Sequence, residues 1–187
     1  MRSKRFSAFA SSFLLASGIF CACSRPAAFD PAADPMVGKP APEFVFHNAH
    51  HRTFPSTNFN GKVCVFIFAR PAQLELPSLL SEMERLHRDP GFTAVQFIVI
   101  LPEEDPLVEP FWNGLRSRLP FALDYTGVAA RYGAGSLPLV VIVDHRGIVR
   151  LRADGYVGAQ FRPRLATTHR MLAEVVSLRS RPSHPVR

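Results

Sequence analysis

The sequence predicts one α/β domain built on a mixed sheet, parallel at its centre and antiparallel at an edge. Three observations predict it. Val63 to Ala69 (VCVFIFA) and Thr93 to Leu101 (TAVQFIVIL) are continuous apolar runs, the mark of strands buried on both faces. Between them lies a stretch with helical apolar spacing, so the pair reads as a βαβ crossover. Later, Leu139 to Val143 and Ile148 to Leu151 are joined by Asp144-His145-Arg146-Gly147, a hairpin turn whose Gly is free to take positive φ.

The other elements follow in order. Val37 to Phe46 leads into a first strand, with His47 to His51 as its turn, and Asn60-Gly61-Lys62 marks a second turn. A helix is expected over Ala72 to His87: Leu76, Leu79, Leu80 and Met83 make its inner face, while Glu75, Glu82, Glu84 and Arg85 lie outside. Pro77 within it is expected to bend it. Pro102 to Glu109 reads as an acidic loop, and Pro110 suits the first position of a helix carrying Trp112, Leu115 and Leu119. A short helix spans Val128 to Tyr132 and stops at Gly133; a closing helix spans Arg162 to Leu178. Helices on both faces of the sheet complete the prediction.

At 187 residues the chain suits one domain with a proper core. A hydrophobic fraction of 47% with 20% charged residues excludes global disorder, and sixteen Phe against one Trp indicate a core of aromatic bulk. The formal charge of +7 includes Arg2, Lys4 and Arg5, in a segment expected to be removed, and Arg179, Arg181 and Arg187 in a tail. No basic stripe interleaved with aromatics remains, so nucleic acid is not an expected partner.

Met1 to Arg5 is cationic and Phe6 to Ala22 is apolar and rich in small residues, the order of a signal peptide. Ala22 directly before Cys23 resembles the lipobox at which bacterial lipoproteins are cut and lipidated; simple secretion and an uncleaved anchor are the alternatives. The expected organisation is a signal peptide over 1–22, a lipidated N-terminus and tether over 23–36, the folded domain over 37–178 and a basic tail over 179–187. Such a chain is exported and held on a membrane of the cell envelope, facing the periplasm. Of the three cysteines, only Cys64 then remains as a thiol in the domain.

An ordered set of short pieces carries a resemblance. They are Val37-Gly38-Lys39-Pro40-Ala41-Pro42-Glu43-Phe44, Gly61-Lys62-Val63, Glu75-Leu76-Pro77, Ala130-Arg131-Tyr132-Gly133, Ser136-Leu137-Pro138 and Val143-Asp144-His145-Arg146-Gly147-Ile148-Val149. Together they resemble the membrane-tethered, thioredoxin-like family of TlpA and ResA type, relatives of the peroxiredoxins. The resemblance implies a thioredoxin-like fold and, in a typical member, a W-C-x-x-C motif between the central strand and the first helix. A lowered thiol pKa there supports disulfide exchange. Here that turn reads Phe68-Ala69-Arg70-Pro71-Ala72-Gln73-Leu74-Glu75: aligned from Glu75-Leu76-Pro77 the two Cys positions hold Ala69 and Ala72, and aligned from Gly61-Lys62 the motif is deleted, so on either alignment no dithiol stands there. The peroxiredoxin pattern of a Cys preceded by Thr and Pro is missing too.

Cys64, second in a buried run, is expected to be an inert core thiol, with a nucleophile as the alternative. The resemblance implies a cis proline at Pro138, beside which an extended chain would bind; stabilising the fold is an equally sufficient role for it. Arg70, Pro71, Leu137 and Pro138 are therefore the candidate binding residues, Arg70 standing near a helix N-terminus where it could meet an anionic partner or simply face water. His47, His50 and His51 are close enough for copper or zinc in principle, but no Cys or Met completes a set. Glu103, Glu104 and Asp105 are expected to complement a helix N-terminus or face solvent. The expected function is a redox-silent binding or accessory role for a peptide or protein partner, without a cofactor. An atypical thiol oxidoreductase or antioxidant, and a metal carrier using the three histidines, are the alternatives.

Overall fold

The computed structural model describes residues 29–48, 52–115 and 117–179. Its strands are β1 (Val45–His47), β2 (Thr53–Pro55), β3 (Val63–Phe68), β4 (Val95–Pro102), β5 (Phe121–Asp124), β6 (Leu139–Val143) and β7 (Val149–Ala153). The helices are α1 (Leu76–His87), α2 (Val108–Gly114), α3 (Val128–Arg131) and α4 (Phe161–Arg179).

Among the described residues these strands form one sheet in the order β2-β1-β5-β4-β3-β6-β7. β3, β4 and β5 run parallel, as the two apolar runs require, while β6 and β7 form the predicted antiparallel edge beside β3. The β1–β2 hairpin adds a second antiparallel edge on β5. All six residues of β3 are buried. Its alternate side chains feed two cores: Val63, Val65 and Ile67 pack with α1, α2 and α4, while Cys64, Phe66 and Phe68 pack with Phe44, Phe46 and the α3 side. The phenylalanines divide between the two cores, six in each, and four of those in the second are buried. Phe44, Phe59 and Phe66 form a mutually packed triangle with ring centroids 5.3–5.8 Å apart, and edge-on ring pairs of this kind add to burial.

Four departures from the sequence prediction have simple causes. α1 begins at Leu76, so Pro77 occupies its first turn, where its missing N–H breaks no hydrogen bond within the helix. Ala72 to Glu75 is a turn, closed by the Arg70 N–H donating to the Gln73 side-chain oxygen at 2.8 Å. α2 begins at Val108 and ends at Gly114, which leaves Leu119 off the helix but 2% exposed in the core. The four-residue β5 follows Pro120 and is too short to show a period.

The segment expected to be a tether is folded from Phe29 onward. The Arg164 guanidinium sits 3.6 Å from the Phe29 ring centroid. Arg152 donates to Asp34 at 3.0 Å and to the carbonyls of Tyr132 and Gly133. Gly38 then hydrogen-bonds β7 through Val149, so this strap is fastened across the β7 side of the sheet. Cys21, Cys23 and the tail beyond Arg179 lie outside the described residues.

Candidate binding groove

β3, β4 and β5 run parallel, and β6 runs against them. Their chain connections therefore gather the Arg70 turn, the Pro102 loop, Tyr125 and the Leu137–Pro138 bond at one end of the sheet. A groove of about 320 Å³ opens there. Phe68 and Ile100 contribute apolar wall, Arg70, Glu104 and Tyr125 polar wall, and Leu137 the far side.

The structure thus brings two of the four candidate binding residues, Arg70 and Leu137, onto one groove. Pro71 and Pro138 are buried and are not part of its lining. The Leu137–Pro138 peptide bond is cis. Arg70 is exposed but stands six positions before α1, not at its N-terminus, because Pro71 and the Gln73 contact shape a separate turn. Of the two positions where the resemblance would put sulfur, Ala69 is 1% exposed and Ala72 is exposed.

Asp124 lines the groove but is committed to structure. Its Oδ1 accepts from Val128 N–H at 2.9 Å and its Oδ2 from Ala129 N–H at 3.0 Å. It thereby satisfies the first amides of α3, which the adjacent Gly127, at φ 70°, could not do with its own side chain.

Cys64 sits at the opposite end of β3, roughly 20 Å from the Arg70 turn at strand rise. It is 1% exposed, and burial, opposed by the smaller effect of Lys62, pushes its thiol up to about 12. A thiol so placed is almost wholly protonated near neutral pH and has no path to a disulfide substrate.

His47 and Glu103 are brought together in a way the sequence does not disclose. Because β1 lies beside β5, His47 Nδ1 comes within 3.1 Å of Glu103 Oε2, and the imidazole stacks on Tyr125. Glu103 therefore faces a histidine instead of solvent or a helix end. Asp105 does serve α2, accepting from Leu107 N–H at 2.9 Å. His50 and His51 lie outside the described residues, and among those described no group of three or more His, Cys, Asp or Glu side chains is placed to hold a metal ion.

No protein-family model matches the sequence, and no curated protein matches it. Solved structures do match the fold. A putative thiol:disulfide interchange protein DsbE from Chlorobium tepidum superposes with a TM-score of 0.66 at 15% identity, covering 75% of this chain and 97% of its own. The pneumococcal exposed lipoprotein thioredoxin Etrx1 from Streptococcus pneumoniae gives 0.56 at 16% identity, covering 69% of this chain and 98% of its own. A secreted disulfide oxidoreductase from Mycobacterium tuberculosis gives 0.51 at 18% identity, with coverages of 66% and 95% in the same order. The fold is thioredoxin-like.

Proposed function

We propose that this chain is a thioredoxin-like binding protein of the cell envelope, which holds an extended peptide or protein partner in the groove between the Arg70 turn and Leu137. One observation carries the proposal. The turn after β3, where this fold's disulfide chemistry is expected, contains no sulfur, and Cys64 lies buried at the other end of the strand. The groove itself is open, with Arg70 available to a carboxylate or carbonyl and the exposed face of Tyr125 and the half-buried Leu137 to an apolar side chain.

Export and lipid anchoring at Cys23 belong to the same proposal. They are supported by the cationic and apolar N-terminal order and by fold neighbours described as secreted or as an exposed lipoprotein. Among the described residues no helix is long and apolar enough to cross a membrane.

The test is activity first, then binding. The full chain should not accelerate insulin reduction by dithiothreitol; turnover that disappears in Cys64→Ser would overturn the proposal. In a panel of extended peptides, those that bind should lose affinity on Arg70→Glu and on Leu137→Asp. Peptide binding indifferent to both would move the site elsewhere.

A second reading, an atypical thiol oxidoreductase, draws support from the fold neighbours described as thiol-disulfide enzymes. It requires Cys64 to react in the native state at a rate comparable with a free thiol.

A further inference from the structure

We infer that the end of the sheet opposite the Arg70 groove takes up a small anionic amphiphile, such as a medium-chain fatty acid. This is independent of the proposed peptide groove and roughly 20 Å away at strand rise. A cleft of about 450 Å³ lies there, between the Pro40–Phe44 segment, the Asn60–Lys62 turn and the β6–β7 hairpin turn. Its volume falls in the range of small-molecule sites.

The floor is apolar. Phe59, Ala41 and Pro42 are half-buried there, and Phe44, Phe66 and Cys64, only 1–4% exposed, close it from beneath. The rim carries Lys62, His145 and Arg146. Two carboxylates are also present, Glu43 and Asp144, but Asp144 is paired with Arg150 at 2.7 Å and also accepts from two backbone amides. With Asp144 so occupied, Lys62 and Arg146 outnumber the exposed Glu43, and the rim is net cationic.

A second observation points inward. His145 Nδ1 is buried and has no hydrogen-bond partner among the described residues. A buried ring nitrogen without a partner is costly to leave unmatched, and that cost is relieved when the imidazole turns outward to meet an anionic head at the cleft mouth. Hydrocarbon against Ala41, Pro42 and Phe59 and an anionic head against Lys62, His145 and Arg146 match the cleft in both polarity and charge.

The probe is laurate below its micelle concentration, displacing anilinonaphthalene sulfonate from the full-length chain. We expect saturable one-to-one displacement. The double variant Lys62→Glu, Arg146→Glu changes exposed side chains and should weaken laurate by about tenfold or more, as loss of charge-assisted contacts does, with its denaturant midpoint near that of the parent. Methyl laurate, with the same tail and no charge, should bind correspondingly worse. Unchanged laurate affinity in the double variant, or methyl laurate binding as tightly as laurate, would overturn the assignment. So would binding seen with phosphatidylglycerol vesicles alone, which would mark a membrane-facing surface.

Discussion

The imidazole of His47 lies flat on the phenol ring of Tyr125, centroids 3.7 Å apart and planes 10° from parallel, while its Nδ1 meets Glu103 at 3.1 Å. These three side chains come from β1, from the loop after β4 and from the end of β5. They fasten the short β1–β2 hairpin, which pairs with β5 through the single register position His47–Leu123, to the rest of the sheet.

Tyr125→Ala should therefore loosen that hairpin. Loss of the stack should cost about 0.5–1.5 kcal/mol, read as a lower urea midpoint, and should raise amide exchange at Val45 to His47 before it does so in β3. Equal acceleration in both strands would show that the stack does not act locally.

Cys64 should make the fold sensitive to alkali. Its thiol is raised from an ordinary 9.0 to about 12 by burial. Above pH 9 the unfolded chain loses that proton while the folded chain keeps it, so stability is full below pH 9 and falls as pH rises toward 12. The buried phenols of Tyr132 and Tyr156, both raised by burial, add the same sign of effect above their ordinary 10.0. Cys64→Ala should flatten the decline in chemical denaturation between the ordinary thiol value of 9.0 and the ordinary phenol value of 10.0. A parent and variant with parallel curves there would show that the thiol is not desolvated.

Asp144 makes the opposite prediction in acid. Burial alone would raise its carboxyl, but the Ile148 amide, Arg150 and the Arg146 amide together hold it below the ordinary 3.8. Its stabilisation is present above that ordinary value and is lost as pH falls through the lowered one. Asp144→Ala removes the side-chain hydrogen bonds to Arg146, Ile148 and Arg150 from the hairpin turn. About 2–4 kcal/mol of destabilisation is expected. A loss under about 0.5 kcal/mol, the scale of an ordinary surface substitution, would contradict this account of the turn.

Arg152 is the fastening of the N-terminal strap. Arg152→Met should free Asp34 and the Tyr132 and Gly133 carbonyls together. Limited proteolysis should then cut between Phe29 and Val37 at least about tenfold faster, since about 1.4 kcal/mol of local stability sets that ratio. Cleavage at the parent's rate would mean that Phe29 under Arg164 holds the strap unaided.

The sheet's centre is legible in the sequence because β3 and β4 are buried on both faces, and a short, β-branched apolar run bounded by turn residues suits little else. The Asp144 to Gly147 turn is legible because its chemistry is local, and Gly147 does take φ 76°. β2 and β5, at three and four residues, offer no period to read. The start of α1 is ambiguous in sequence because Pro77 signals both a kink and a first turn, and only the Gln73 contact decides. The His47–Glu103 pair spans 56 positions and depends on β1 lying beside β5. Arg70 and Leu137 can be named because the resemblance marks the turn and the proline beside them, and both flank strands that are themselves evident. Tyr125 arrives at the groove after β5, which is not evident, and Glu104, on the loop after the evident β4, carries no local sign that it will face a groove.

The folded strap also sets a distance. With Phe29 held by Arg164, the proposed lipid on Cys23 would be joined to the domain through roughly six residues of chain, which cannot span more than roughly 20 Å in any conformation. The domain would then hang close against the bilayer instead of sweeping a wide volume, and any partner would have to present itself within that thin layer.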